Sequence, residues 1–561
     1  MTTRLPPWPH RQALPHGQAP DASYRSRLRR LTFAVILPGL VYLGFFCLYT
    51  WPWVAHPTTR FFTDSGDGYQ NVWNMWWVNQ ALTHLHQLPW HTYMLHYPYG
   101  TTLLGQTMNP FNGLVGVVLL RLVPLVVAFN LMVVFSFVAT GVTTFWLCRF
   151  FCGRYVPSIV GGFFMTFSAY HMSKTLGLMQ LVSLEWVPLF VLLWWRLLLR
   201  PRVRLAAGTA VTLLLVLLCD YYYFLFSVLS GLVILVHLWR KRELKLDAAS
   251  SAVFVGLSGL LTLPLPAALI LSNLRDPMIG GHKSTGTDVL SLLLPGGHWR
   301  FSYLTQWYWG AIHVPLGDYS AYLSITASSL LVIAAITRRR LGPHAGFWLG
   351  FAGVSFALSL GPYLVFHGSS TGLPMPFDLI RKAFPLLDYN IEPVRIIVLT
   401  TLAAAILISL VLSRWLARGP GRTRGRVLTV LVCAGLVVEL WPAPPPLTPV
   451  TRPAYVSALK SLPPGAVIDN AAIANGRVDK SLQLYDQALT GKPIAFGYIS
   501  RTPSTVAAAD ARLQQAINAH LYGVLCHSYG FRYFTTPASR PLPGQLRVVY
   551  QDSNAIIYRL C

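Results

Sequence analysis

The chain of 561 residues is 54% hydrophobic and only 11% charged, which excludes a soluble protein built on one or two ordinary cores. Its formal net charge of +25 would also fit a nucleic-acid-binding protein. The basic residues, however, lie in short clusters between apolar runs of roughly 17–25 residues, as in the cytoplasmic loops of a polytopic membrane protein. We therefore expect membrane lipids, with anionic headgroups at the basic loops, and no nucleic acid as partners.

Residues 1–30 are rich in Pro, Arg and His and show no apolar periodicity, so we expect a disordered, basic cytoplasmic tail there. The apolar run at residues 31–53 is longer than the roughly 7–15-residue core of a signal peptide, and no small-residue cleavage site follows it. It is predicted to be a retained membrane helix. Basic residues between positions 25 and 30 place its start on the cytoplasmic side.

The next loop carries two carboxylates, Asp64 and Asp67, in a chain with only 19 acidic residues. Gly66 and Gly68 permit a tight turn around Asp67, and tryptophans follow at helical spacing. The pattern predicts a carboxylate on a loop, followed by an amphipathic helix lying along the membrane surface. The alternative is a plain turn followed by the tryptophan anchors that are common at membrane interfaces.

Apolar runs that alternate with basic clusters predict an α-helical polytopic membrane domain over residues 31–442, with about 11 transmembrane helices. After the first helix, the predicted spans cover approximately 126–150, 156–171, 181–199, 205–220, 221–238, 248–272, 319–337, 345–366, 394–413 and 427–442. The segment 110–124 is short and contains Arg121, so we expect a re-entrant or interfacial helix. This topology leaves outer loops at 55–125, 273–318 and 367–392.

The topology brings rare polar residues to the outer ends of the helices, where ionisable groups are functional candidates. Asp67 is the candidate base, with Asp64 second, and the other candidates for substrate binding are His171, Lys174, Gln180, Glu185, Asp220 and Arg300. A carboxylate base combined with cations for a leaving phosphate is the assembly that glycosyl transfer needs.

Each candidate also has a purely structural alternative. His171 and Lys174 would snorkel at a helix end, Glu185 would pair within the helix packing, and Asp220 would cap a helix. Arg300 lies among aromatic residues, which also fits an interfacial belt. Asp388 and Glu392 lie in the 367–392 loop, and Glu392 is close enough to Arg395 for the two to pair, which we favour over a ligand role.

Residues 443–561 predict a small extracytoplasmic α/β domain that is long enough to bury a core of its own. Strands are expected at 466–468, 494–496, 532–535, 546–550 and 555–560, with a helix over about 505–521 and a turn at Asp552-Ser553-Asn554. Cys526 and Cys561 are the only cysteines of this region, and they either form a disulfide or leave Cys561 unpaired. No Cys/His spacing resembles a metal motif.

Several motifs in the first 230 residues, in this order, resemble a large group of bacterial membrane proteins of the GT-C glycosyltransferase superfamily. They are Gly-Asp-Gly-Tyr-Gln-Asn-Val-Trp at 66–73, Tyr-Pro-Tyr-Gly at 97–100, Ala-Phe-Asn-Leu at 128–131, Phe-Ser-Ala-Tyr-His at 167–171, Gln-Leu at 180–181, Glu-Trp-Val-Pro-Leu at 185–189 and Asp-Tyr-Tyr-Tyr at 220–223. Members of the group often have Gly-His before the Gln-Leu element, whereas this chain has Gly177-Leu178-Met179.

The resemblance implies a GT-C-like fold whose first outer loop supplies an acidic residue that acts as base or binds metal, here Asp67 or Asp64. It implies a polyprenyl-phosphate sugar donor and a lipid, glycan or protein acceptor on the outer face of the bacterial inner membrane. No cofactor is required by this interpretation, although a divalent cation is possible. The alternatives are a transporter or flippase of a lipid-linked saccharide, and a non-catalytic scaffold with the same fold.

Overall fold

The computed structural model describes residues 31–280, 286–312, 321–383, 392–417, 422–544 and 546–561. The predicted tail at 1–30 and Asp388 lie outside these described residues. In the described part, the chain forms a helical membrane region followed by a C-terminal region with a small sheet.

Five helices in the described part of the chain are long and apolar enough to cross a membrane: Thr32–Tyr49, Leu125–Cys152, Met179–Leu199, Tyr221–Arg240 and Pro393–Trp415. The pair Ala248–Thr262 and Pro264–Arg275, bent by 40° at its break, would make a sixth span. This identifies a multi-pass membrane protein, while the total of about 11 spans stays a prediction. Other helices of this region are Pro110–Leu119, Tyr155–Thr166, Ala169–Ser173, Val203–Cys219, Ile325–Leu341, Ala345–Ser359 and Arg422–Glu439.

The span Pro393–Trp415 is the most deeply buried of these helices, with 94% of its most apolar window inside the protein. Its residues are mostly apolar, as expected for a helix surrounded by others. It packs against helices Tyr155–Thr166 and Ala345–Ser359, and the Ser409 hydroxyl donates to the carbonyl of Pro157 at 2.9 Å. This packing places Arg395 in the first turn of a buried helix.

The C-terminal region contains a four-stranded sheet in the order Arg547–Gln551, Ala555–Arg559, Phe531–Pro537 and Ala466–Asp469. The first three strands are antiparallel, and Phe531–Pro537 pairs in parallel with Ala466–Asp469. The helices are Ala454–Ser461, Lys480–Thr490, Ser504–Asn518 and Tyr522–His527. The predicted strands, the helix and the Asp552 turn are present, except that Ile494 forms only an isolated bridge with Val467.

Alternate residues of these strands pack into two different cores, as the twofold periodicity of a strand requires. Ile468 and Ile556 contact the core that includes Leu513 of helix Ser504–Asn518. Val467 and Ile557 face the other way, into a core that also holds tryptophans of the first outer loop. The sheet is thus covered on one face by its own helix and on the other by the loop that carries the candidate base.

The helix Asp67–Thr83, called the site helix below, corrects one prediction. We expected an amphipathic helix along the membrane surface, but most of the site helix is buried, including the side chains of Trp73 and Trp77. The Trp73 indole N–H donates to Gln487 Oε1 at 2.6 Å, and Tyr69 stacks on Tyr485 with ring centres 4.7 Å apart. The tryptophan spacing therefore marks a face that packs under the C-terminal region.

Two short strand pairs connect the predicted outer loops with the C-terminal region. Arg60–Phe61 pairs with Thr448–Pro449, and Met278–Ile279 pairs with Thr502–Pro503. Further pairs, within single loops, are His91–Thr92 with Thr101–Thr102, Tyr363–Phe366 with Ser369–Pro374, and Ile473–Ala474 with Arg477–Val478. A disulfide joins Cys526 to Cys561, which settles the question left open by the sequence.

Candidate functional site

The two carboxylates of the first outer loop lie at the start of the site helix, and each has a different environment. Asp64 Oδ1 accepts a hydrogen bond from the backbone N–H of Gly68 at 2.7 Å and so satisfies an amide of the first helical turn. A Cβ on Gly68 would lie 2.5 Å from Thr63 Oγ1, so the tight turn requires glycine there. Asp64 is thus engaged by the backbone, whereas Asp67 is half-buried within the first turn.

Asp67 is surrounded by groups that act on its protonation in opposite directions. Burial raises the pKa of Asp67, and the nearby carboxylates of Asp64 and Glu392 add to the increase. The neighbouring Tyr498 hydroxyl and the positive charge of Arg395 lower the pKa of Asp67 and so oppose this increase. A carboxylate with a raised pKa accepts a proton more readily, which is the property required of a general base.

The turn around Gly177 packs directly against the two carboxylates. Gly177 has a φ of +83°, and a Cβ there would lie 2.7 Å from both Asp64 Oδ1 and the Cβ of Asp67. The side-chain amide of Asn71 donates to the carbonyl of Gly177 at 2.6 Å and to the carbonyl of Asp67 at 3.0 Å. The motif that departs from the GT-C group at Leu178 is therefore part of this site.

Arg395 is the cation that the structure brings to Asp67. Its guanidinium lies 3.4 Å from Glu392 Oε2, which confirms the predicted pair, and 4.6 Å from the centre of the Tyr222 ring. The same charge acts on both Asp67 and Asp220. Because Arg395 also has a buried Nε without a hydrogen-bond partner among the described residues, pairing with Glu392 does not exhaust its donors.

Asp220 caps the helix Tyr221–Arg240, as the structural alternative predicted. Its Oδ1 accepts from the backbone N–H groups of Tyr222 at 2.8 Å and Tyr223 at 3.1 Å. The Asp220 side chain is buried, and the positive charge of Arg395 acts on it. Asp220 therefore helps to fix the tyrosine that lies under the Arg395 guanidinium.

His171 and Lys174 are buried rather than snorkelling into water. Both ring nitrogens of His171 lie 2.8 Å from backbone carbonyls, those of Thr166 and Val182, and the ring stacks on Phe137. Through these contacts His171 joins the backbone of two chain segments, which favours a structural role over the predicted substrate-binding role. The Lys174 ammonium lies 4.9 Å from the centre of the Tyr170 ring, and Lys174 is three residues before Gly177.

Gln180 and Glu185 lie deeper in the helical region, away from water. Glu185 is fully buried, and neither of its carboxylate oxygens has a hydrogen-bond partner among the described residues. The side-chain amide of Gln180 is likewise buried without a partner there. Neither residue is among the groups that act on the protonation of Asp67.

Arg300 is exposed and lies beside a different feature, a small cavity. Its backbone N–H donates to the carbonyl of Trp441, one of the residues that line this cavity. The lining also includes His298, whose two ring nitrogens are buried without partners among the described residues. Within the described part of the chain, Arg300 is not among the charges that act on Asp67.

Sequence reasoning missed Tyr498 entirely and assigned Arg395 only a structural pair. Arg395 could have been recognised from its position in the first turn of a long apolar helix. A charged side chain costs free energy near the membrane, so its presence there indicates a functional candidate. Tyr498 has no local signal, since its contact with Asp67 depends on how a distant region folds back. The predicted candidates that the structure does bring together are Asp64 and Asp67.

Within the described residues, no three His, Cys, Asp or Glu side chains are arranged so that they could hold a metal ion. Asp64 and Asp67 by themselves are fewer ligands than a protein-held metal site ordinarily has. These residues do not fit such a site, so we derive no step through a metal. Whether a divalent cation takes part, which the sequence left open, is untested.

The chain matches no family model and no curated protein, but it resembles solved structures over nearly its whole length. Arabinofuranosyltransferase AftD from Mycobacteria, in the R1389S mutant, shares 14% sequence identity with a TM-score of 0.52. The match covers 95% of this chain and 41% of AftD. At this identity the likeness concerns the fold alone.

Two other solved structures show weaker similarity. The oligosaccharyltransferase of Archaeoglobus fulgidus in the apo form shares 10% identity with a TM-score of 0.49, covering 92% of this chain and 70% of that one. ArnT from Cupriavidus metallidurans shares 11% identity with a TM-score of 0.38, covering 94% of this chain and 97% of that one.

Proposed function

We propose that this chain, which has the fold of the GT-C glycosyltransferases, is a membrane enzyme that transfers a sugar from a polyprenyl-phosphate donor to an acceptor hydroxyl. The observation that carries the proposal is the half-buried Asp67, whose pKa is raised and which has the Arg395 cation nearby. A base and a cation at one site are the two groups that the transfer needs.

In the proposed reaction, the oxygen of the acceptor hydroxyl attacks C1 of the donor sugar. The bond between C1 and the phosphate oxygen breaks, and polyprenyl phosphate leaves with the electron pair. The proton of the acceptor hydroxyl passes to the carboxylate of Asp67. Attack from the side opposite the phosphate inverts the configuration at C1.

Arg395 is the proposed partner of the leaving phosphate, with Lys174 as the second candidate. A fixed cation stabilises the negative charge that develops on the phosphate oxygen as the bond breaks. Arg395 suits this role because its guanidinium presents several donors in a planar fork, and one of them is buried without a partner in the described part of the chain.

A lipid-linked donor suits a site at the end of membrane helices, since its polyprenyl tail would stay in the bilayer while its phosphosugar meets Asp67. The short cytoplasmic loops leave no room for a nucleotide-sugar domain and contain no Gly-rich phosphate loop. The Cys526–Cys561 disulfide supports an extracytoplasmic position for the C-terminal region, because disulfides persist in oxidising compartments. We place the reaction on the outer face of the bacterial inner membrane. The acceptor is a lipid, glycan or protein.

The test is release of polyprenyl phosphate from a panel of radiolabelled polyprenyl-phosphate sugars by the purified protein in lipid, with a broad acceptor extract present. We expect Asp67→Asn to lower turnover by about 10²–10⁴-fold, the usual contribution of a general base. Asp64→Asn is the matched control, because it changes the neighbouring carboxylate that the backbone already engages.

Turnover that is lost in Asp67→Asn and retained in Asp64→Asn would support the assignment of the base. Equal turnover in wild type and Asp67→Asn would refute it. If no donor is consumed but labelled lipid saccharide crosses the bilayer equally well in both variants, the transporter alternative replaces the enzyme. If neither occurs, the non-catalytic scaffold is the remaining alternative.

A further inference from the structure

Residues 298–309 of the predicted 273–318 loop, called the interfacial segment below, begin at the end of helix Arg422–Glu439. The Trp299 indole N–H donates to the carbonyl of Val438, in the last turn of this helix, at 3.0 Å. Backbone hydrogen bonds join the same part of the segment to the residues that follow the helix. The segment therefore lies level with one end of the helix, and the arginines of the helix lie at the other end.

An apolar surface of the membrane region ends at the same level. Helices Ile325–Leu341 and Arg422–Glu439 pack against the buried span Pro393–Trp415 and against each other. Glu439 Oε2 accepts a hydrogen bond from the backbone N–H of Thr326 at 3.0 Å, so the two helices meet at the ends that carry no arginine. Each exposes an apolar stripe at helical spacing, formed by Ile325, Val332 and Ile336 on the first and by Val427, Leu431 and Val438 on the second. Such stripes face acyl chains in a membrane protein, so the segment lies where the hydrocarbon gives way to headgroups.

The interfacial segment itself has an apolar face. Two short helical turns, Ser302–Thr305 and Gln306–Trp309, bury the side chains of Tyr308 and Trp309 on one side. The exposed side chains are those of Tyr303, Leu304 and Trp307, with exposed fractions of 67%, 56% and 71%. Positions i, i+1 and i+4 of a helical segment lie side by side, so these three form one cluster. A contiguous apolar cluster on a protein surface marks a contact with a partner or a membrane.

Hydrogen bonds fix the buried side of the segment to neighbouring loops. The Tyr308 hydroxyl donates to Asp288 Oδ2 at 3.0 Å and accepts from the backbone N–H of His367 at 3.0 Å. The Trp309 indole N–H donates to the carbonyl of Pro295 at 3.1 Å. The exposed aromatic face is therefore already formed and needs no ordering when it meets its partner.

The charge of the segment indicates the chemistry of that partner. Residues 289–312 contain no Asp or Glu, and their one Lys or Arg is Arg300, which is exposed. Tyrosine, tryptophan and arginine are the side chains that anchor membrane proteins at the level of the headgroups. A bilayer surface with anionic headgroups complements both the aromatic face and the positive charge.

We propose that the interfacial segment inserts Tyr303, Leu304 and Trp307 among the lipid headgroups of the outer leaflet, and that Arg300 contacts the phosphate of an anionic lipid. This part of the predicted outer loop is then a membrane-binding surface and not a loop surrounded by water. The proposal does not depend on sugar transfer, so it can fail or succeed independently of the proposed function.

The first measurement uses the full-length wild-type protein in vesicles that contain a phospholipid with a diazirine in its headgroup. Irradiation releases N₂ and leaves a carbene that inserts into nearby side chains, and mass spectrometry locates the adducts. We expect adducts on residues 303–307 and on Ile325, the residue of the lipid-facing stripe at the same level. Leu521 of the C-terminal region is the matched control, because it is exposed and apolar but should remain in water without adducts. Adducts on Ile325 without any on the segment would mean that the segment lies in water or under a second copy, and would overturn the proposal.

Arg300→Gln tests the contact with anionic headgroups. The yield of adducts on the segment is compared between a probe on an anionic lipid and the same probe on a zwitterionic lipid. Arg300→Gln should lower the ratio of the two yields about fivefold, the effect expected of one arginine near a membrane surface. Arg512→Gln, which removes an exposed arginine of helix Ser504–Asn518, should keep the wild-type ratio. Equal ratios in wild type and Arg300→Gln would refute the headgroup contact, whereas adducts on the segment would still support its insertion.

Discussion

Single residues from widely separated parts of the chain determine the surroundings of Asp67. Asp64 accepts a hydrogen bond from the backbone of the first helical turn, and Gly177 lies against both carboxylates. Arg395 and Tyr498 favour the ionised form of Asp67. Burial works in the other direction. The balance leaves a carboxylate that is able to take up a proton without being protonated permanently, as a general base must.

At this scale, Gly177→Ala is expected to impair the site more than the fold. Alanine would suffer backbone strain at a φ of +83°, and its Cβ would displace Asp64 and Asp67, which lie 2.7 Å away. Gly153→Ala is the matched control, because Gly153 has a φ of +68° and no atom within 4 Å of the added Cβ. Both variants should lose about 1 kcal/mol of stability.

Two measurements check this prediction: thermal unfolding, and the pH midpoint at which a carbodiimide, which reacts with protonated carboxyl groups, labels Asp67. Only Gly177→Ala should change the midpoint, together with turnover where a donor is consumed. An identical response of the two variants would mean that the turn at Gly177 does not shape the site.

At the scale of elements, helix Lys480–Thr490 joins the site helix to the C-terminal sheet. Gln487 of this helix accepts a hydrogen bond from the Trp73 indole. The neighbouring Asp486 lies close to helix Ala454–Ser461 and to strand Ala466–Asp469. Asp486 accepts from the Tyr455 hydroxyl at 2.6 Å and lies near Asp469, whose side chain accepts from Thr535. Two carboxylates buried close together cannot both ionise without a cost, so one of them is expected to retain a proton.

The stability of this element should therefore depend on pH. Burial and the charge of Asp469 raise the pKa of Asp486 to about 8, well above its value of about 3.9 in an unfolded chain. Between these values the folded state binds more protons than the unfolded state, so stability falls as the pH rises from about 4 to about 8.

Asp486→Asn should remove that slope, because the amide oxygen still accepts from Tyr455 and carries no charge. We expect the variant to exceed wild type by at least about 1 kcal/mol at pH 8, and by less at pH 5. Hydrogen exchange of peptides from residues 454–490 in the full-length protein measures this difference. Parallel pH slopes in the two proteins would contradict it.

At the scale of the whole molecule, the C-terminal region is attached to the outer loops along its length. Beyond the strand pairs, His96 Nδ1 lies 2.8 Å from Asp510 Oδ2. The region also closes on itself, since the Cys526–Cys561 disulfide joins the end of the chain to helix Tyr522–His527 across 35 residues. The loop that it closes contains the three antiparallel strands.

Cys561→Ser should destabilise the C-terminal region by roughly 3–4 kcal/mol, because a disulfide restricts the unfolded chain according to the size of the loop it closes. Hydrogen exchange should increase in strands Phe531–Pro537 and Ala555–Arg559 and remain unchanged in the site helix. Cys47→Ser is the control, because Cys47 belongs to the first membrane helix and forms no disulfide. Unchanged exchange in both variants would show that the disulfide contributes little.

The sequence by itself determined the features that arise from neighbouring residues. Long apolar runs predicted the membrane helices, alternating residues predicted the strands of the C-terminal sheet, and the glycines around Asp67 predicted its tight turn. The order of short motifs predicted the GT-C fold. Each of these features depends on periodicity or on backbone freedom within a few residues. It can therefore be predicted without knowing any contact between distant parts of the chain.

Only the tertiary structure decided which side chains meet. The same tryptophan spacing fits a helix at the membrane surface and a helix buried under another region, and only the packing of Gln487, 414 residues away from Trp73, separates the two. His171 joins two segments of the backbone, and Tyr498, which is more than 400 residues away along the chain, acts on Asp67. Such contacts follow from the simultaneous burial of many apolar groups, which no local pattern of residues records.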